Sequence, residues 1–159
     1  MYDFLNQLEA DGYLENTKVV NIRGLFDYWK EIKLQPLKRE EFLVQNPMRL
    51  LYSAEKEYAL TTYRAENLVQ SYLFPSRTDF YCRVEEEEYW HNNLIKNGMI
   101  GSGNIRIMYA TKHVFFNSFK VKDYWIVSIP QMIIDLLTEG GPSMEAAEML
   151  ISKLVSKHV

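Results

Sequence analysis

Residues 127–148 read Val127-Ser128-Ile129-Pro130-Gln131-Met132-Ile133-Ile134-Asp135-Leu136-Leu137-Thr138-Glu139-Gly140-Gly141-Pro142-Ser143-Met144-Glu145-Ala146-Ala147-Glu148. Two helices are written into this stretch. Ser128 followed three residues later by Gln131 is a capping box: the serine oxygen accepts from the Gln131 amide and the glutamine side chain reaches back. Pro130 stands in the first turn, where no intrahelical donor is needed. The helix runs to Glu139, and Gly140-Gly141 stops it. Pro142-Ser143 opens a second helix, whose Met144, Ala147, Leu150, Ile151 and Leu154 recur at helical spacing and predict a buried face. Gln131 and Asp135, four apart, share a face opposite Ile133 and Leu137. That pair is either a structural polar seam or part of a recognition surface.

Upstream of this pair the period changes from helix to strand. Ile105, Ile107 and Tyr109 alternate with Arg106 and Met108, and are followed by Val114-Phe115-Phe116 and by Val121 to Val127. Three neighbouring strands in succession predict an antiparallel meander. The acidic run Glu85 to Glu88 precedes Tyr89, Trp90, Leu94 and Ile95, where negative charge suits a helix start, and Gly98 ends that helix. Thr78 to Val84 reads as a strand, and Tyr58-Ala59-Leu60-Thr61 reads as a strand leading into a helix with Tyr63, Ala65, Leu68 and Val69. From Gly24 to about Ala54 the pattern is helical: Leu25, Phe26, Trp29 and Ile32 form a stripe, Pro36 restarts the chain before Phe42-Leu43, and Pro47 before Leu50-Leu51.

At the front, Phe4, Leu5 and Leu8 place a helix over about Asp3 to Asp11, with Gly12 as its stop, and Lys18 to Ile22 reads as a short strand. Helix, glycine and strand are the closing pieces of a winged helix-turn-helix whose earlier helices would lie upstream of Met1, in a shortened homologue or a fragment. The expectation is therefore an α+β chain: a remnant of a winged helix over 1–23, and over 24–159 a mixed or mostly antiparallel sheet with flanking helices.

Composition bounds the function. The chain has 159 residues, 47% hydrophobic and 14% aromatic, enough to bury one substantial core. Eighteen basic residues against 21 acidic give a net charge of −3, so bulk charge does not hold the chain on a polyanion and any nucleic-acid contact is local. The single cysteine, Cys82, excludes an internal disulfide and a cysteine zinc cage, and fits a cytoplasmic protein. The opening residues carry Asp3 and show no cationic region followed by an apolar run, so no secretory leader is expected. The most apolar stretch, Tyr124 to Leu137, is interrupted by Ser128, Pro130, Gln131 and Asp135, so no membrane association is expected.

The candidate chemistries are few. Glu85 to Glu88 with Asp79 invite comparison with a nuclease carboxylate cluster, but consecutive helix residues point about 100° apart and no Glu-x-Lys follows Asp79. His91, His113 and His158 show no metal-ligand spacing. Ser53-Ala54-Glu55-Lys56 matches Ser-x-x-Lys without its companion motifs, and Gly101-x-Gly103 opens a strand where a dinucleotide loop would close one, so it is a tight turn. Cys82, inside a strand, is a small buried hydrophobe. Between Lys112 and Trp125 the cations Lys112, His113, Lys120 and Lys122 interleave with Phe115, Phe116, Phe119, Tyr124 and Trp125. That pattern suits a basic hairpin with stacking faces, or alternate aromatics entering a core beneath solvated lysines.

Several segments together resemble the AbiEi family of transcriptional regulators, the antitoxins of type IV toxin-antitoxin systems of phage defence. Leu8 through Leu14 is similar to the end of that family's winged helix, and Tyr58-Ala59-Leu60-Thr61 with Ala65 to its YALTG..AA segment. Gly103-Asn104-Ile105-Arg106 is similar to its G-x-N-[VI] strand start. Val127 to Gln131, Asp135-Leu136, Gly140-Gly141 and Glu145-Ala146-Ala147-Glu148 follow its ending. The resemblance implies a non-catalytic, autoregulating antitoxin without cofactor or metal. Its partners would be operator DNA, a nucleotidyltransferase-like toxin or that toxin's RNA targets, and a second copy of the chain. The DNA-facing residues expected are Asn6, Gln7, Lys18 and Arg23. Those expected on a partner surface are Arg106, Lys112, Lys120, Lys122, Gln131 and Asp135. Two alternatives stand beside it: a metal-dependent nucleic-acid-processing enzyme using Asp79 and Glu85 to Glu88, and a plain dimerisation module joined through the first helix.

Overall fold

The computed structural model describes residues 6, 10–15, 18–33, 35–101 and 103–157. Among them the strands are β1 (Leu14–Glu15), β2 (Lys18–Val19), β3 (Lys38–Val44), β4 (Tyr58–Thr61), β5 (Thr78–Arg83), β6 (Gly98–Ile100), β7 (Ile105–Ala110), β8 (Phe119–Val121) and β9 (Tyr124–Ile126). The helices are α1 (Ile22–Ile32), α2 (Pro47–Tyr52), α3 (Thr62–Gln70), α4 (Glu87–Asn97), α5 (Ile129–Glu139) and α6 (Pro142–Lys157). Seven strands form one mixed sheet in the order β6-β3-β7-β5-β4-β9-β8, with β5–β7 and β4–β9 parallel and the other pairs antiparallel. The expected α+β class, a mixed sheet flanked by helices, is what the chain adopts.

Helix α5 lies at the centre of the helical layer. Met132, Ile133, Ile134, Leu136 and Leu137 are all buried, and a helix that is apolar nearly all round has neighbours on nearly every side. It packs on α6, α1, α3 and β4. Its start follows the sequence signal: the Ser128 side chain accepts from the Gln131 amide at 3.3 Å with Pro130 in the first turn. Its end does too, since Gly140 and Gly141 take φ values of +79° and +59° that L side chains rarely adopt. In α6, Ala147, Leu150 and Ile151 are buried as expected, whereas Met144 is 39% exposed and Ala146 takes the buried place.

The strand order departs from the predicted meander. β8 and β9 do form an antiparallel hairpin, but β7 is two strands away, with β5 and β4 between them. The Val121 to Val127 run is split at Lys122-Asp123, both at positive φ (+49° and +72°), the backbone of a two-residue hairpin turn. Val114-Phe115-Phe116 is not a strand: Lys112–Phe115 is a 3₁₀ turn that buries Val114 and Phe115. The helical pattern expected as far as Ala54 breaks into α1, β3 and α2. In β3 the side chains alternate across the sheet, with Phe42 and Val44 buried and Leu43 exposed.

β6 had no expectation attached to it. It pairs with one side of β3 and β7 pairs with the other, and both meet β3 at Phe42, so the chain between them passes across that strand. Gly103 is required at this crossing, because a Cβ there would sit 2.6 Å from the Phe42 carbonyl oxygen and 2.7 Å from the Leu43 Cα. Asn104 then clamps β3: its Oδ1 accepts from the Val44 amide at 2.9 Å and its Nδ2 donates to the Val44 carbonyl at 2.6 Å.

The helix expected over 3–11 falls mainly outside the described residues; Asn6 and Ala10 are helical, and Gly12 turns the chain at φ +86°. Beyond it, β1 and β2 form a short antiparallel hairpin, and Asn21 caps α1 by accepting from the Gly24 amide at 3.0 Å. The division drawn at residue 23 therefore falls in the first turn of α1.

Candidate functional site

A cluster of charged side chains lies between the sheet and α5, around one small hollow. Asp135, 4% exposed, is its centre. Lys33 Nζ, from the end of α1, donates to Asp135 Oδ1 at 2.9 Å and is itself only 7% exposed. Thr61 Oγ1, at the end of β4, donates to Oδ2 at 2.6 Å; the Tyr81 hydroxyl, from β5, lies 3.1 Å from both oxygens; and Gln131 Nε2 donates to Oδ1 at 3.1 Å. Burial first, and then the neighbouring carboxylate, pushes the Tyr81 hydroxyl well above its ordinary pKa, so the phenol stays a donor.

Asp79 is the second centre, at 1% exposure. Arg77 grips it with Nε and Nη2 at 2.6 and 2.8 Å, and Thr62 Oγ1 donates at 2.6 Å. Thr62 holds this position with φ +50°, a strained backbone for a β-branched residue and one that brings its hydroxyl to the carboxylate. Arg77 also reaches Glu139 at 2.8 Å, which accepts from the Tyr63 hydroxyl at 3.2 Å and faces Arg106 at 3.5 Å. The hydrogen bond to Asp79 lifts the Arg77 pKa above its ordinary value. Burial pushes the Glu139 carboxyl up, but Arg77 and Arg106 outweigh it and hold the pKa below the ordinary range. Three carboxylates face three cations, and the space left among them is about 30 Å³, the share of a single water molecule.

Of the residues expected on a partner surface, the structure brings Gln131, Asp135 and Arg106 into or beside this network. Asp135 is a buried anchor and not a surface group. Gln131 does not complete the capping box: its amide turns forward to Asp135, because a buried carboxylate needs more donors than the open end of a helix does. Arg106 is half-buried between Glu41 and Glu139. The polar seam on α5 is therefore the structural one. Lys112, Lys120 and Lys122 remain exposed. Lys120 lies over the Trp125 ring at 5.7 Å, and Trp125 and Phe116 are 42% and 74% exposed, while Phe115 turns into the core.

Among the DNA-facing candidates, Asn6 is exposed, Gln7 lies outside the described residues, and the Lys18 backbone pairs with Glu15. Arg23 is held by Asp27 and Glu148.

The carboxylates proposed for metal chemistry are not brought together. Roughly 13 Å of strand separates Asp79 from Arg83, with the glutamates further on. Glu86 pairs with Lys56 at 3.7 Å and Glu87 with Lys38 at 2.5 Å. Among the described residues no group of three His, Cys, Asp or Glu side chains is placed to hold a metal ion. The Ser53 hydroxyl lies 3.2 Å from the Arg49 and Leu50 carbonyls at the end of α2. His91 faces Glu40 at 2.8 Å, and His113 faces Thr111 at 2.6 Å. His158 lies outside the described residues. Cys82 is fully buried, which pushes its thiol pKa up.

Lys33, Arg77 and Glu139 belong to the network without any signal in the sequence; the Lys33–Asp135 pair joins residues 102 apart. No helix among the described residues is long and apolar enough to cross a membrane. No family model matches the chain, and no curated protein or solved structure matches it.

Proposed function

We propose that this chain is a non-catalytic, cytoplasmic regulatory protein of the antitoxin kind, resembling the AbiEi family, that acts by recognising a partner. The observation that carries this reading is the mutual neutralisation of the network. A carboxylate that moves protons or activates water needs an open oxygen beside room for a substrate. Asp79, Asp135 and Glu139 have their oxygens taken by Arg77, Lys33, Arg106 and neighbouring hydroxyls, around a space of about 30 Å³. Such a set supports a fold-holding role and directs recognition elsewhere.

The β8–β9 hairpin is the surface that suits a partner best. It carries Lys120 and Lys122 with the exposed Trp125, beside Lys112 and Phe116, and fits an acidic face of a nucleotidyltransferase-like toxin or its RNA targets. Operator DNA is a second partner, and Arg23, already neutralised by Asp27 and Glu148, is a weak contributor to it.

Co-expression with the reading frame adjacent in the genome tests the proposal. Growth arrest caused by a nucleotidyltransferase-like neighbour should be relieved by this chain, and the purified chain should turn over no nucleotide or nucleic acid. Turnover abolished by changing Asp79 alone, in a protein that still folds, overturns it.

A further inference from the structure

A second hollow lies away from both the network and the hairpin. It is a cleft of about 650 Å³ between the end of β3, helix α2 and helix α4, within the roughly 300–1,000 Å³ range of small-molecule sites. Its lining is unusual in kind. Gln45, Asn46, Asn93 and Asn97 present amides, the half-buried Tyr89 presents an aromatic ring with the buried Trp90 behind it, and Arg49 is the single charged residue; no carboxylate lines it.

The polar groups are left with unequal capacity. Asn93 and Asn97 each use Nδ2 on a helix carbonyl, at 2.9 and 2.7 Å, which leaves their Oδ1 atoms as acceptors. They stand on the last turns of α4, where the helix dipole is negative and further favours a donor. Arg49 is exposed and its guanidinium makes no hydrogen bond or ion pair with a described residue, so its five donors are open to an anion. Tyr89 is fixed, its hydroxyl accepting from the Glu55 amide at 2.9 Å and its ring edge-on to Trp90. Trp90 is wholly buried, and its indole N–H has no partner.

We infer that this cleft binds a nucleoside monophosphate with an amino-bearing base, the phosphate on Arg49 and the base amino group on Asn93 and Asn97. One cation without a competing carboxylate selects a ligand of low negative charge. Amide acceptors beside the Tyr89 ring select a flat, hydrogen-bonding ring system, since amides read base edges and an aromatic side chain packs against a base. A bare anion uses only Arg49.

The test titrates the full chain with AMP, GMP, CMP and UMP, with adenosine and with inorganic phosphate. The readouts are tryptophan fluorescence and backbone amide shifts. At least one of AMP, GMP and CMP should bind saturably with a Kd below ~1 mM, moving amides of residues 44–53 and 89–97. UMP, which lacks the amino group, should bind more weakly. Arg49→Gln, an exposed position, should lower affinity about tenfold at unchanged Tm. Asn93→Ala with Asn97→Ala should erase the preference over UMP. Absence of saturable binding by every nucleotide, phosphate binding as tightly as the nucleotides, or Arg49→Gln binding like the parent would each overturn the proposal.

Discussion

The network beneath α5 and the β8–β9 hairpin use the same side-chain types to opposite ends. In the network, Lys33, Arg77 and Arg106 meet Asp135, Asp79 and Glu139 at low exposure, so each charge is answered within the fold. On the hairpin, Lys120 and Lys122 extend into solvent, and Lys120 has only the Trp125 ring beneath it. A charge answered internally fixes the position of helices and strands; a charge left outside is available to a partner. The difference teaches that counting charged residues says little here, and that the tertiary neighbours of each one decide whether it stabilises or recognises.

The largest effect should come from removing the network's centre. Asp135→Asn keeps the shape of the side chain but leaves the Lys33 ammonium buried without an anion. Breaking a buried pair in this way costs about 3–5 kcal/mol. Urea unfolding should show that loss. A change below about 1 kcal/mol would mean that the network is not the clamp described here.

The acid side of the stability curve sharpens the contrast. The Glu139 pKa is held below its ordinary 4.5 in the fold, so its contribution is fully present above that value and is lost as pH falls through the lower, folded one. Thermal unfolding between pH 6 and pH 3 should therefore show Tm falling on acidification below about 4.5, and Glu139→Gln should flatten part of that fall. Reversing Lys120 and Lys122 should leave the acid limb unchanged.

The smallest effect belongs to the hairpin's backbone. Asp123 sits at φ +72°, where glycine meets no Cβ penalty, so Asp123→Gly should raise stability by about 1 kcal/mol or less without weakening partner binding. Loss of stability on that change would show that the turn is held by the aspartate side chain.

How much of this was legible depended on whether the signal was local. Helix α5 could be read because its cap, its proline and its paired glycines are adjacent in sequence, and β4 into α3 was equally plain. β3 could not: Lys38-Arg39-Glu40-Glu41 opens it with four charges, and only Phe42 and Val44 carry the alternation. It is a strand because β6 and β7 supply partners from 54 or more residues away. Val114-Phe115-Phe116 failed for the opposite reason, since a three-residue apolar run suits a buried turn as well as a strand. In the network, Asp79 and Asp135 were each visible as notable carboxylates, but nothing near them in sequence named Lys33 as the partner of Asp135 or placed Arg77 between Asp79 and Glu139. The lysines of the hairpin were legible because exposure is the default for a lysine and needs no partner to produce it.

The most direct measurement is growth rescue, in cells expressing the nucleotidyltransferase-like neighbour that the proposed function requires, by a variant carrying Lys112→Glu, Lys120→Glu and Lys122→Glu, set beside its Tm. Recognition through the hairpin predicts that the parent chain restores growth and that the triple variant, with Tm unchanged, does not. Full rescue by the triple variant would contradict it.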